Sequence, residues 1–153
     1  MSNLISGASR SIGQFDVGPL AYGMWRFADD DLGKAQQLVE TALAAGMNLI
    51  DTADIYGFES VHVGFGEAEA IFGRVLAQAP QLRNQMVLAT KGGITPPMPY
   101  NSSADYLRFA VEASLRRLQI DVIDLYQIHR PDMLTHPAEV AATLTALRDE
   151  GKI

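Results

Sequence analysis

The chain contains no cysteine. This excludes a disulfide framework, a thiolate metal site and a cysteine nucleophile, so any redox chemistry must come from a bound cofactor. It also lacks a lysine- or arginine-rich run. Twelve basic residues stand against 18 acidic ones, for a formal net charge of -6, which argues against a surface built for nucleic acid or anionic lipid. No apolar run approaches the roughly 18 residues needed to span a bilayer. Met1 to Gly18, with one arginine and no sustained apolar core, lacks the form of a secretory signal. Of the three histidines, His62 and His136 have no partner at metal-ligand spacing, and no metal is expected. These absences leave a cytoplasmic protein of small-molecule chemistry, without nucleic-acid or membrane partners, as the expectation.

What is present suits one packed domain. At 153 residues, with 48% hydrophobic and 20% charged residues, the chain can bury one sizeable core. Residues 1-14, rich in Ser and Gly at their start, read as a leader or small hairpin, and 15-153 as the body of the domain. Within that body three apolar runs each stop at an ionisable residue: Met47 to Ile50 at Asp51, Met86 to Thr90 at Lys91, and Val122 to Ile128 at His129. Short apolar runs separated by helical stretches are the pattern of parallel strands in βαβ units, where chemistry gathers at the carboxyl ends of strands. Asp51 and Lys91 are 40 positions apart, and Lys91 and His129 are 38 apart, close to the length of one such unit, which takes at least about 30 residues.

Four units follow in order. Phe15 to Met24 is a first strand with an irregular start at Gly18-Pro19. Asp29 to Asp31 form the acidic, solvated start of a helix carrying Leu32, Ala35, Leu38, Val39, Ala42 and Leu43, stopped by Gly46. Strand two, Met47 to Asp51, opens into a loop through Phe65. A helix from about Gly66 to Ala79 follows, and Pro80 ends it. Strand three, Gln85 to Thr90, leads through Lys91-Gly92-Gly93 and a Pro-rich loop to a helix capped by Ser102 or Ser103 and running to about Leu118. Strand four, Asp121 to Ile128, ends at His129-Arg130-Pro131-Asp132, and Pro137 opens a fourth helix. Such a succession makes either an open doubly wound sheet or part of a barrel. A dinucleotide-binding sheet calls for G-x-G-x-x-G directly after an early strand. Here Gly64-Phe65-Gly66 follows a loop and the next glycine, Gly73, lies inside a helix, so the α/β barrel is favoured.

Tyr56, five positions past Asp51, can reach the same rim as the three strand-end groups. A neutral phenol has a pKa near 10, and a nearby ammonium stabilises the phenolate and lowers it. Lys91 is the available ammonium, and Asp51 supplies the carboxylate that keeps it charged. Neutral His129 adds a second hydrogen bond. The set suits proton donation to a carbonyl oxygen as negative charge develops on it. Taken singly, each group has a plainer reading: a turn cap for Asp51, packing for Tyr56, solvent exposure for Lys91, a satisfied core or loop histidine for His129. Their joint spacing favours a shared site.

The stretch Gly46-Met47-Asn48-Leu49-Ile50-Asp51-Thr52-Ala53-Asp54-Ile55-Tyr56-Gly57 resembles the first signature of the aldo/keto reductase superfamily. Lys91 after an apolar strand, then Ser114 to Leu118 and Asp121 to His129, are similar to the next two family landmarks. The resemblance runs from about Val17 to Ile153. It implies a (β/α)8 TIM barrel, NADPH as cofactor without metal or flavin, and reduction of an aldehyde or ketone as activity. It assigns Tyr56 as the acid, Lys91 as its pKa-lowering partner, Asp51 as the support of Lys91, and His129 as the group orienting substrate. Gly23-Met24-Trp25 resembles the segment beside the nicotinamide, so Gly23, Met24 and Asp51 are expected at the cofactor. Trp25 either lines the substrate pocket or packs against the barrel.

The family barrel has eight units and this chain supplies about four. Phosphate sites in barrels commonly follow strands seven and eight, so most cofactor contacts of the family lie in the half beyond this sequence. An open four-strand sheet is an aggregation hazard, and self-association of two half-barrels is expected. Two other readings stand beside the reductase: a non-catalytic half-barrel serving as a binding or regulatory module, and an aldolase with a Schiff base at Lys91.

Overall fold

The structure, a computed structural model, describes residues 8-27, 31-57, 65-96 and 100-153. Met1 to Gly7 of the expected leader, Asp29 and Asp30 of the helix start, His62, Gly64 and residues 97-99 of the Pro-rich loop lie outside the described residues.

An antiparallel hairpin opens the described chain, β1 (Arg10–Ile12) against β2 (Phe15–Val17), with Arg10 opposite Val17. Four βα units follow: β3 (Ala21–Gly23), α1 (Leu32–Ala44), β4 (Leu49–Asp51), α2 (Glu67–Gln78), β5 (Val87–Gly92), α3 (Ala104–Leu118), β6 (Leu125–Ile128) and α4 (Pro137–Asp149), with a 3-10 turn at Pro80–Gln85. The sheet has the order β3-β4-β5-β6, every pair parallel. Sequential order in a parallel sheet, with a helix between each pair of strands, is the winding of a barrel rather than of a sheet that reverses at a switch point.

The expected first strand, Phe15 to Met24, is two strands in two sheets. Gly18-Pro19 breaks the ladder, and Gly18 packs so closely on the loop before β4 that a Cβ there would lie 1.9 Å from the Gly46 carbonyl oxygen. The Asn48 side chain ties the hairpin to β4, accepting from Gly18 N–H and donating to the Asp16 carbonyl. The hairpin therefore spans the division drawn at residue 14. The strand at 121-128 also narrows, to Leu125–Ile128. Asp124 turns its carboxylate onto Leu88 N–H and Arg83, and Ile123 N–H donates to the Lys152 carbonyl, so these residues cap the strand end instead of extending it.

Helix boundaries have local causes. Asp31 caps α1 by accepting from Gly33 and Lys34 N–H, and Ser103 caps α3 by accepting from Tyr106 N–H. Pro137 occupies the first turn of α4, and His136 caps that helix through Nδ1, accepting from Ala138 N–H. Alternation along the strands then sets two faces. Ile50 and Leu88 point to the helices, in a core with Ala35, Val39, Ile71, Phe72, Val75 and Leu118. Asp51, Lys91 and Gln127, at alternate positions, share the opposite face.

Candidate active site

Lys91 sits one residue before the end of β5, with its side chain 12% exposed. Its Nζ donates to Asp51 Oδ2 at 2.8 Å, to the Thr52 carbonyl at 2.7 Å and to the Tyr56 hydroxyl at 3.2 Å. Three acceptors use the three protons of an ammonium. Because Tyr56 accepts this hydrogen bond, its own O–H proton is directed away from Lys91 and remains available for donation. The ammonium also lies 4.8 Å from the centre of the Tyr56 ring, a range in which a cation is attracted to the aromatic face.

The loop that carries Tyr56 is held by main-chain bonds. Thr52 N–H donates to the Ala89 carbonyl and Asp54 N–H to the Lys91 carbonyl, each at 2.9 Å, so the chain continues along β5 past the formal end of β4. Tyr56 N–H then closes a turn on the Ala53 carbonyl, and its own carbonyl accepts from Ala68 N–H in α2. Sequence places Tyr56 near the rim, and these bonds fix it over Lys91.

His129 follows β6 and is set by its N–H bond to the Gly92 carbonyl, 2.8 Å. Its ring meets the Tyr56 ring edge-on at 5.7 Å. Burial first, then the Lys91 and Arg130 charges, hold the imidazole below its ordinary 6.5 against the pull of Asp51, so it is neutral at pH 7. Its Nδ1 is buried without a hydrogen-bond partner. Gln127 Nε2 reaches Asp51 Oδ1 at 3.5 Å, adding a polar neighbour that sequence reasoning did not single out.

The remaining expected positions lie alongside. Gly23 pairs with Asp51 across the ladder, and Met24 N–H donates to the Asp51 carbonyl at 2.9 Å. Met24 is buried, whereas Trp25 is 55% exposed with the Arg26 guanidinium 5.4 Å from its ring. Trp25 is therefore not packed into the core. Among the described residues no group of three His, Cys, Asp or Glu is placed to hold a metal ion.

Sequence reasoning also missed a buried network behind the site. Glu69 on α2, fully buried, accepts from Thr90 Oγ1 at 2.5 Å and pairs with Arg117 of α3 at 2.6 Å. Thr90 is the residue before Lys91, so this pair backs the strand that presents the ammonium. The signal was a carboxylate beside the apolar stripe of α2 at Ala68, Ile71, Phe72, Val75 and Leu76. On the next loop, Asp132 accepts from Ser102 N–H, Leu134 N–H and Thr135 Oγ1, folding the segment after His129 and tying it to the start of α3.

Comparison with known proteins decides the lineage. The sequence pattern of the aldo/keto reductase family matches residues 19–153. The chain belongs to that family. A 6-dehydroglucose reductase of Novosphingobium aromaticivorans is 58% identical over 139 residues, covering 90% of this chain and 45% of that protein. One of Agrobacterium fabrum is 39% identical over 152 residues, covering 92% and 49%. The solved aldo-keto reductase of Bacillus halodurans in its holo form superposes with a TM-score of 0.77 at 31% identity, covering 95% of this chain and 48% of that one. The chain spans about half the length of the curated relatives it matches. Its four parallel strands and four helices are the first four units of a (β/α)8 barrel.

Proposed function

We propose that this chain is the catalytic half of a nicotinamide-dependent carbonyl reductase, with Tyr56 as the proton donor. The observation that carries this is the single ammonium of Lys91 bonded at once to Asp51, the Thr52 carbonyl and the Tyr56 hydroxyl. Reduction of a carbonyl places negative charge on its oxygen, and a proton delivered there lowers the barrier. Tyr56 gives that proton. Lys91, kept charged by Asp51, stabilises the phenolate left behind, and neutral His129 can donate a hydrogen bond to the same oxygen. Neutrality matters because an imidazolium would compete as acid and would repel Lys91.

NADPH, when bound, supplies the hydride. The residues present fit its nicotinamide end. Space over the end of β3 is open, since a Cβ on Gly23 would meet nothing within 4 Å, and Asp51 lies beside Gly23 in the ladder. Gly23 and Asp51 would hold the ring, with Trp25 on the substrate side; Met24, expected beside them, instead packs its side chain into the core with Ile50 and Phe72. The identity to proteins named 6-dehydroglucose reductase makes a sugar-derived aldehyde the first substrate class to test.

The test is consumption of NADPH, and of NADH in parallel, by the chain with 6-dehydroglucose and with a reactive aromatic aldehyde, beside Tyr56→Phe. Turnover lost in the variant supports the reading. Consumption equal in both refutes Tyr56 as the acid. Binding of cofactor with no turnover favours the alternative, a half-barrel that works as a binding module. Borohydride trapping of a carbonyl adduct at Lys91 would instead support Schiff-base chemistry.

Self-association is proposed on a second observation. Strands β3 and β6 are both edges of the sheet, and beside β6 runs a groove lined by Phe15, Val122, Leu125, Tyr126, Leu144 and Ile153. Two copies joined edge to edge would complete a ring of eight strands. Light scattering should report a dimer or larger species, and a monodisperse monomer would contradict pairing.

A further inference from the structure

Asp54, two residues before Tyr56, is an acid that the proton-donating cluster does not use. It is 1% exposed and lies between the sheet and α3. Its N–H bond to the Lys91 carbonyl pins the loop to β5. Its side chain is anchored from α3, where the Tyr106 hydroxyl donates to Oδ2 at 3.1 Å, while Oδ1 is buried with no partner. The Tyr126 hydroxyl, also buried and unpartnered, converges on the same place. A Cβ on Gly92 would come within 2.2 Å of that hydroxyl and 3.1 Å of Asp54 Oδ2. Both polar atoms thus meet at the residue next to Lys91.

The groups facing Asp54 are Glu69 from α2, Tyr106 and Arg117 from α3 and Tyr126 from β6, while β5 meets it through the neutral Lys91 carbonyl. Arg117 is the cation among those side chains, and Glu69 already engages it. Burial, then the Glu69 charge, push the Asp54 carboxyl up to about 7, against the Tyr106 hydrogen bond, the Arg117 charge and the Ile55 N–H, which favour ionisation. A protonated carboxyl offers a donor and no charge, whereas an ionised one adds a second buried negative charge beside Glu69.

We propose that Asp54 is a positioning residue: the Asp54–Tyr106 pair holds the Thr52 to Gly57 turn against the end of β5, and a change of charge at Asp54, drawn toward Tyr106 and repelled by Glu69, shifts that turn and with it Tyr56 relative to Lys91. The proposal deepens the reading of Tyr56 as proton donor and rests on it, yet its test needs no turnover. The full chain is labelled at tyrosine 13Cζ, the Tyr56 resonance is assigned with Tyr56→Phe, and pH is varied from 5 to 9. The wild-type resonance should move in two steps, one below pH 6.5 from His129 and one near pH 7 from Asp54. Asp54→Asn should abolish the upper step alone, with an amide spectrum that otherwise matches the wild type. Tyr106→Phe removes a hydrogen bond that favours the charged carboxyl, so it should move the upper step to higher pH, and it decides the matter if Asp54→Asn does not fold. His129→Gln should leave the upper step in place. A wild-type resonance with no step near pH 7, a step that persists in Asp54→Asn, or a midpoint unmoved in Tyr106→Phe overturns the proposal. Loss of turnover in Tyr56→Phe tests the parent reading separately.

Discussion

Arg117→Met is the most revealing single perturbation of the scaffold behind the site. Glu69 has no solvent exposure, and its carboxylate is held by Arg117 Nε at 2.7 Å, by a second guanidinium nitrogen at 2.6 Å and by Thr90 Oγ1 at 2.5 Å. The variant keeps most of the apolar stem of the side chain but removes both charged donors, leaving a buried carboxylate with one hydroxyl. Breaking a buried pair from one side costs about 3–5 kcal/mol, whereas replacing both partners with apolar groups of similar volume is often neutral. Urea unfolding should therefore show a loss of about 3–5 kcal/mol for Arg117→Met and a much smaller loss for the double change Glu69→Leu with Arg117→Met. The same variant removes the cation that favours ionised Asp54, so the Asp54 midpoint should rise. A loss under about 1 kcal/mol for Arg117→Met, or a double variant as unstable as the sum of the singles, would refute the argument that the pair is a buried, mutually dependent unit.

Other expectations follow from the same packing. Gly92→Ala forces a methyl into the Tyr126 hydroxyl, and overpacking of this kind costs about 1–3 kcal/mol; thermal unfolding should show the loss, with Tyr126→Phe in the same chain restoring part of it. The His129 imidazole should titrate below 6.5 by NMR and move back toward 6.5 in Lys91→Met, which removes the second cause of the depression. Because its folded value is depressed, His129 contributes stability that is present above pH 6.5 and lost as pH falls through the folded value, whereas Asp54, raised to about 7, gains stability over the same fall; unfolding free energies flat from pH 7 to pH 5 in Asp54→Asn, which removes the opposing contribution, would count against the His129 depression.

Much of the architecture was legible because each apolar run between polar loops is short and each helix carries its apolar residues at one spacing. The stop at Asp51, the caps at Asp31 and Ser103 and the opening Pro137 are local signals, and the structure uses them locally. Strand lengths were less legible. Met47 and Asn48 read as strand, but their main-chain groups bond to Ala42 and Val87 around the strand start, and the Asn48 side chain reaches the hairpin. Asp121 to Asp124 read as strand for the same reason, and the Arg83 charge draws Asp124 aside. Among the candidate site residues, Asp51, Tyr56, Lys91 and His129 come together because three stand at strand ends and the fourth on a loop of fixed length. Glu69, Arg117 and Asp54 were not legible as a network, since their meeting depends on how α2 and α3 pack over the sheet, and no periodicity encodes that contact.

The central claim is that Tyr56 and Lys91 act as one proton-donating unit. A double-variant cycle on kcat/KM, with Tyr56→Phe, Lys91→Met and the two together, tests it most directly, using the aldehyde and cofactor that give turnover with the chain. Groups that act as a unit give non-additive losses. The account predicts that each single variant loses at least about 100-fold, the lower range for a lost proton donor, and that the double variant is no slower than the worse single. Independent, multiplying losses, or a Tyr56→Phe variant with the wild-type rate, would contradict it.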